Sequence, residues 1–165
     1  ITCHLLEQGR TLPGFIGDIS YAQSNRERYE GFCQALADAG KKVDSSLCLT
    51  TPLGIDTYRE EIDTFLSSLS RMPDAFVCAS DYVACILMQL LEKRGLRVPE
   101  DVAVSGFDNN TEDLLAEHLT TVQVFNEELG ARLALQILYR IKYPNTPHEI
   151  TYLGTNVLYR DSTGD

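Results

Sequence analysis

The 165 residues are 44% hydrophobic and 23% charged, enough apolar material for one buried core and too much for a disordered chain. With 24 acidic against 14 basic side chains the formal net charge is −10, so the surface repels phosphate backbones and this chain is excluded as the part that holds nucleic acid. No apolar run reaches the ~20 residues that a membrane span needs.

Residues 2–8 read as a helix running into Gly9, and a strand follows at 14–17, its start delayed by Pro13. Helical spacing over 26–39 puts Tyr29, Phe32, Cys33 and Leu36 on one face, and Ser24 with Glu27 reads as a capping box at its start. Gly40 stands where a helix end wants a left-handed residue. A strand at 46–50 precedes a helix at 57–70 with Ile62, Phe65, Leu66 and Leu69 in register and Asp56 as its N-cap. Next come a strand at 75–79, a helix at 82–94 closed by Gly95, and strands at 102–105 and 121–124. A helix at 127–142, capped by Asn126, aligns Leu129, Leu133, Ile137, Leu138 and Ile141. Pro144 and Pro147 mark a link to a last strand at 150–159. Strand and helix alternating at this spacing specify an α/β fold, a doubly wound and mainly parallel sheet with helices on both faces.

Ligands bind such sheets beyond the carboxyl ends of the strands. Those ends read Gly17-Asp18, Thr50-Thr51, Ser80-Asp81 and Phe107-Asp108-Asn109. Arg26 and Arg28 open the helix after the first of them, where a cation opposes the helix dipole. They either pair with Asp18 or Glu27 at the surface or serve a polar ligand. A carboxylate and a guanidinium facing one cleft grip neighbouring hydroxyls, since the acid accepts while the fork donates. Tyr21, Tyr82 and Phe107 are candidates to cover an apolar sugar or base face, or are filler. The chain has no phosphate-binding glycine loop, nucleophile elbow or zinc-protease motif. His4, His118 and His148 are scattered and read as solvated, and no metal site is expected. The cysteines Cys3, Cys33, Cys48, Cys78 and Cys85 are odd in number, form no CxxC pair, sit mostly in apolar stretches and read as buried reduced thiols.

The run from Asp74 to Asp81, then Gly95 to Asn109, strongly resembles the lactose repressor–galactose repressor family of transcription regulators. So do Arg28-Tyr29-Glu30-Gly31-Phe32, Leu119-Thr120-Thr121-Val122 and the ending Leu158-Tyr159-Arg160-Asp161-Ser162-Thr163. The resemblance implies a type I periplasmic-binding-protein-like effector domain, represented here as a partial domain over 1–165. Residues 9–125 would be its second lobe, 126–143 a helix that returns to the first lobe, and 150–160 the final strand. The amino-terminal helix-turn-helix would lie outside this chain. Carried over by motif, the effector contacts are Arg28, Ser80 and Asp108, with Asp18, Tyr21, Arg26 and Phe107 as possible additions. Ser80 stands where relatives often place Asn, so a two-headed contact is reduced to one. The loop 51–54 lacks the aromatic platform that relatives often offer there.

The expected function is therefore sensing of a small polar effector, a sugar or a nucleobase-like metabolite, without a cofactor and without catalysis. The effector would shift a hinge equilibrium in a homodimer and so alter operator binding through the absent head. A secreted sugar-binding protein shares the architecture, but the thiols and the lack of an opening signal peptide favour a cytoplasmic regulator. A sugar- or nucleotide-modifying enzyme would need a nucleophile or base constellation that the sequence lacks. Along 82–94 the apolar residues sweep roughly 200° of the helix. Either the 111–118 loop covers the excess, or Ala84, Met88 and Leu91 form the dimer contact.

Overall fold

The computed structural model describes residues 1–54, 56–110 and 114–164. Its elements are α1 (Thr2–Glu7), β1 (Pro13–Ile16), α2 (Gln23–Asp38), β2 (Cys48–Leu49), α3 (Tyr58–Ser68), β3 (Ala75–Cys78) and α4 (Asp81–Lys93). They continue with β4 (Ala103–Ser105), β5 (Thr121–Gln123), α5 (Asn126–Lys142) and β6 (Asn156–Leu158). Short 3-10 turns occupy Ser45–Leu47, Leu114–His118 and Asp161–Thr163.

Four strands form a parallel sheet in the order β2-β1-β3-β4, with Phe15 opposite both Cys48 and Val77, and Val77 opposite Ser105. Alternation along β1 sends Phe15 to one face and Ile16 to the other. Phe15 packs with Phe32, Leu36 and Ala79 beneath α2. Ile16 joins Phe76, Val104, Leu66, Leu87 and Leu91 beneath α3 and α4. Both faces are thus covered, which is why β1 and β4 are buried at every residue. The α/β architecture with helices on both faces follows the sequence.

Several local expectations are corrected. The first strand begins at Pro13, the first-residue position where a missing N–H breaks no ladder bond. The strand expected at 46–50 opens instead as a 3-10 turn and keeps only Cys48 and Leu49. The capping box is absent: α2 starts one residue before Ser24, with Ala22 as N-cap. Thr57 and Phe125, not Asp56 and Asn126, hold the N-cap positions of α3 and α5, neither with a side-chain cap bond. Gly40 and Gly95 do follow their helices with φ of 68° and 73°.

The last part of the chain departs further. β5 and β6 make a separate antiparallel ribbon, pairing Thr121 with Leu158 and Gln123 with Asn156. Single parallel bridges at Ser105–Thr120 and Asp108–Gln123 join it to the end of β4. The expected strand at 150–159 survives only over Asn156–Leu158, where β5 supplies a partner. No described residue of α5 is buried, and Leu133, Leu138 and Ile141 are 57%, 64% and 73% exposed.

The expected dimer trio is corrected as well. Ala84 and Leu91 are 0% exposed and belong to the chain's own core, since the wide apolar arc of α4 is shared among the sheet, α3 and Leu115. Met88 alone of the three reaches the surface, lining a groove of about 570 Å³ with Leu96, Val98 and Leu115. The 111–113 part of the covering loop lies outside the described residues.

Candidate functional site

The segments that follow β3 and β4 meet at Arg28. It rises from the second turn of α2 because Phe32 and Leu36, one and two turns further on, pin that helix to Phe15. One guanidinium nitrogen, Nη1, donates to the Ala79 carbonyl at 2.5 Å and to Asn25 Oδ1 at 3.4 Å. The other, Nη2, lies 3.6 Å from Asp108 Oδ1. The guanidinium carbon sits 3.6 Å over the centre of the Phe107 ring, a cation–π contact. At 3.6 Å the Arg28–Asp108 pair attracts without forming a hydrogen bond, so the carboxylate keeps accepting capacity for a ligand hydroxyl.

The side chains of Arg28 and Asp108 are 21% and 44% exposed, and the electrostatics reflect it. Burial pulls the Arg28 pKa below its ordinary value, against the pull of the Asp108 and Asp81 charges. Burial pushes the Asp108 carboxyl up, Arg28 opposes that, and Asp81 adds to it. Water exclusion strengthens whatever polar contact a ligand makes here.

The loop carrying Asp108 is itself unusual. Asp108 and Asn109 have φ of 116° and 53°, the left-handed side that non-glycine residues avoid at a cost of order 1–3 kcal/mol each. Asp81, only 2% exposed, organises this loop. Its Oδ2 accepts the Asn110 N–H at 2.7 Å and its Oδ1 accepts the Thr121 hydroxyl at 2.6 Å. Its own N–H donates to the Phe107 carbonyl at 2.8 Å. A Cβ at Gly106 would stand 2.2 Å from Asp81 Oδ1, so only glycine lets the carboxylate come this close.

The remaining expected site residues scatter in role. Ser80 is the N-cap of α4, its Oγ accepting the Val83 N–H at 3.3 Å, which leaves the hydroxyl proton to donate. Asp18 turns inward. Its carboxylate accepts from the Ser20 N–H and hydroxyl and from the Tyr21 and Leu53 amides. Burial raises its pKa, but these bonds outweigh burial and hold the carboxyl below its ordinary value. Asp18 therefore shapes the loop and is no partner of either arginine. Tyr21 is exposed beside it, and Arg26 is exposed on α2. Tyr82 is exposed too, edge-on to Tyr58 with ring centres 5.7 Å apart.

Among the described residues no group of three His, Cys, Asp or Glu is placed to hold a metal. His118, read as solvated, has an acid partner after all in Asp161 at 2.7 Å, with both side chains exposed. All five cysteines are free thiols, but only Cys78 and Cys85 are buried as expected; Cys3 is exposed, and Cys33 and Cys48 are half-buried, with burial raising the pKa of Cys48 to about 11. The sequence reading missed Asp81 as organiser, Asn25 and Arg160. Asp81 had a signal, standing next to Ser80 at a strand end; Arg160 had only its place in the closing motif.

An open parallel sheet with a polar cleft at its carboxyl edge defines a class of ligand-binding lobe. The chain belongs to the periplasmic binding protein-like family, whose profile matches residues 2–163. More particularly, its relatives are transcriptional regulators of the lactose repressor–galactose repressor type. The HTH-type transcriptional regulator DegA of Bacillus subtilis is 35% identical over 130 residues, 78% of this chain and 38% of its own length. The HTH-type transcriptional repressor PurR of Photobacterium profundum is 28% identical over 99% of this chain and 49% of its own length. Among solved structures, the cellobiose complex of the transcriptional regulator CelR is 30% identical with a TM-score of 0.87, over 98% of this chain and 49% of that one. The chain thus spans about half the length of such relatives or less.

Proposed function

We propose that this chain is the second lobe of the effector-sensing domain of a transcriptional repressor, with Arg28 and Asp108 gripping a small polyhydroxylated effector. The observation that carries it is the half-buried Arg28–Asp108 pair over Phe107 at the carboxyl edge of the sheet. Ser80 donates from the N-terminus of α4, and Phe107 backs the charged pair, its ring face stacked against the Arg28 guanidinium. That the regulator CelR was solved with cellobiose supports a sugar as the ligand class.

The bare apolar stripe of α5 supports a missing first lobe as its cover, since a stripe of this width normally packs on a neighbour. Effector touching both lobes then favours one hinge state through its differential affinity, and the DNA-binding heads respond. The regulator would be cytoplasmic and dimeric. Met88 and its groove, without the buried Ala84 and Leu91, would then supply the dimer surface.

The experiment is a thermal-shift screen of the full-length protein with sugars and purine bases, followed by titration of Arg28→Ala and Asp108→Ala. Loss of a charged hydrogen bond costs about 1.5–3 kcal/mol, so each variant should bind the effector roughly ten- to a hundred-fold more weakly. Operator binding without effector should be unchanged. Wild-type effector response in both variants would place the site elsewhere.

A further inference from the structure

Asp81 holds the ligand loop from α4; Arg160 holds it from the opposite side. Arg160 follows β6 and reaches back across the ribbon. Its Nη2 donates to Asn109 Oδ1 at 2.8 Å and its Nη1 to the Leu119 carbonyl at 2.9 Å. Its backbone is anchored too: the N–H donates to Thr120 Oγ1 at 2.8 Å, and the carbonyl accepts from Thr163 Oγ1 at 3.2 Å. Ser162 completes the seam, its hydroxyl donating to the Val104 carbonyl at 2.6 Å and accepting the Thr120 N–H at 2.8 Å. One side chain therefore joins three segments: the ligand loop, the start of β5 and the end of the chain.

We propose that Arg160 is a positioning residue for the ligand-binding carboxylate, acting through Asn109 to keep Asp108 in its left-handed backbone conformation. Two adjacent non-glycine residues at positive φ persist only where surrounding contacts over-determine them. The amides of Asp108, Asn109 and Asn110 are tied to Val122, Thr121 and Asp81, which fixes the path of the chain. Arg160 adds a charged donor on the Asn109 side chain, and its planar fork spans Asn109 and Leu119 at once. A lysine ammonium, a point charge on a flexible stem, cannot span both acceptors with fixed geometry. Because Arg160 is rooted in the β5–β6 ribbon, a shift of the ribbon alters Asp108, and the reverse holds by reciprocity. The role in ligand binding rests on the Arg28–Asp108 reading; the role in holding the loop does not.

The test is native-state hydrogen exchange of the full-length protein and its Arg160→Met, Arg160→Lys and Asn109→Ala variants. Arg160→Met should speed exchange of the 108–110 amides about tenfold or more while the 103–105 amides of β4 stay within twofold of wild type. Asn109→Ala should reproduce this, and Arg160→Lys should recover little of it. Unchanged exchange at 108–110, or an equal rise at 103–105, overturns the proposal. Should Arg160→Met fail to fold, Asn109→Ala decides by the same criterion. Titration with cellobiose and the effector panel keeps the two readings apart. Loss of affinity on Arg160→Met without loop loosening defeats this proposal, whereas loop loosening with unchanged affinity defeats the ligand assignment of Asp108.

Discussion

The four-stranded sheet and the α5 region carry the same kind of sequence pattern and meet opposite fates. In α4 nearly every apolar residue is buried, Leu87 completely, and Phe76 of β3 beneath it is inaccessible too. In α5 an apolar stripe of comparable spacing is left bare. Periodicity encodes which face of a helix is to be covered, and it says nothing of which segment does the covering. For α4 the cover is in the chain; for α5 nothing described in the chain takes that place.

The largest expected effect sharpens this contrast. Phe76→Ala should cost about 3–5 kcal/mol by chemical denaturation, through lost burial and the cavity left behind. Leu133→Ala should change the stability of this chain by under ~0.5 kcal/mol, the norm for surface sites. If the proposed first lobe packs on α5, the same Leu133→Ala should cost about 2–5 kcal/mol in the full-length protein. Equal costs in the short and the long chain would mean that the stripe is not where the first lobe packs.

Next in size is a contrast within the site. Asp81→Ala leaves the Asn110 N–H and the Thr121 hydroxyl without their acceptor, which costs about 1–3 kcal/mol of stability. Asp108→Ala removes a half-exposed carboxylate and should leave stability within ~1 kcal/mol of wild type while weakening effector binding. If both variants lose stability equally, Asp108 is a structural residue rather than a ligand contact. A smaller effect concerns self-association. Met88→Glu places a charge in the groove with Leu96 and Leu115 and should weaken the proposed self-association of the full-length protein in analytical ultracentrifugation. An unchanged sedimentation profile would move the interface off this groove.

How much of this the sequence revealed depends on the range of the interaction. The alternation of strand and helix, the left-handed glycines after α2 and α4, and Arg28 on the helix after β1 with Asp108 beyond β4 all rest on local pattern or motif. The inward turn of Asp18 was not legible, because an Asx-type turn onto Ser20 and a reach to Leu53 look the same as an exposed acid in sequence. Arg160 on Asn109 spans 51 residues and Asp81 on Thr121 spans 40, so neither leaves a periodic trace. The α4 arc misled for a related reason. Its excess apolar width is spent on α3 and Leu115, neighbours that only the folded chain brings together.

The smallest expected effect separates two carboxylates by the sign of their pH dependence. The Arg97 side chain and amide both donate to Asp101, at 2.8 Å each, and hold its pKa down at about 2. A depressed folded value means that ionised Asp101 favours the folded state. That contribution is complete above the unfolded value of about 3.8 and is lost as pH falls through about 2. Asp108 behaves in reverse, because burial raises its folded value. The folded chain holds that proton more tightly than the unfolded chain, so the protonated form carries the stabilisation, which fades as pH rises through the folded value. Thermal denaturation between pH 2 and pH 6 should therefore show Asp101→Asn flattening the acid limb and Asp108→Asn removing a slope of opposite sign. The Asp101 effect should shrink with added salt, since that pair sits at the surface. The same ionisation sets the ligand response, so affinity for a neutral polyol should rise with pH as Asp108 becomes an acceptor only. Affinity that is flat across that range would mean the carboxylate does not touch the ligand.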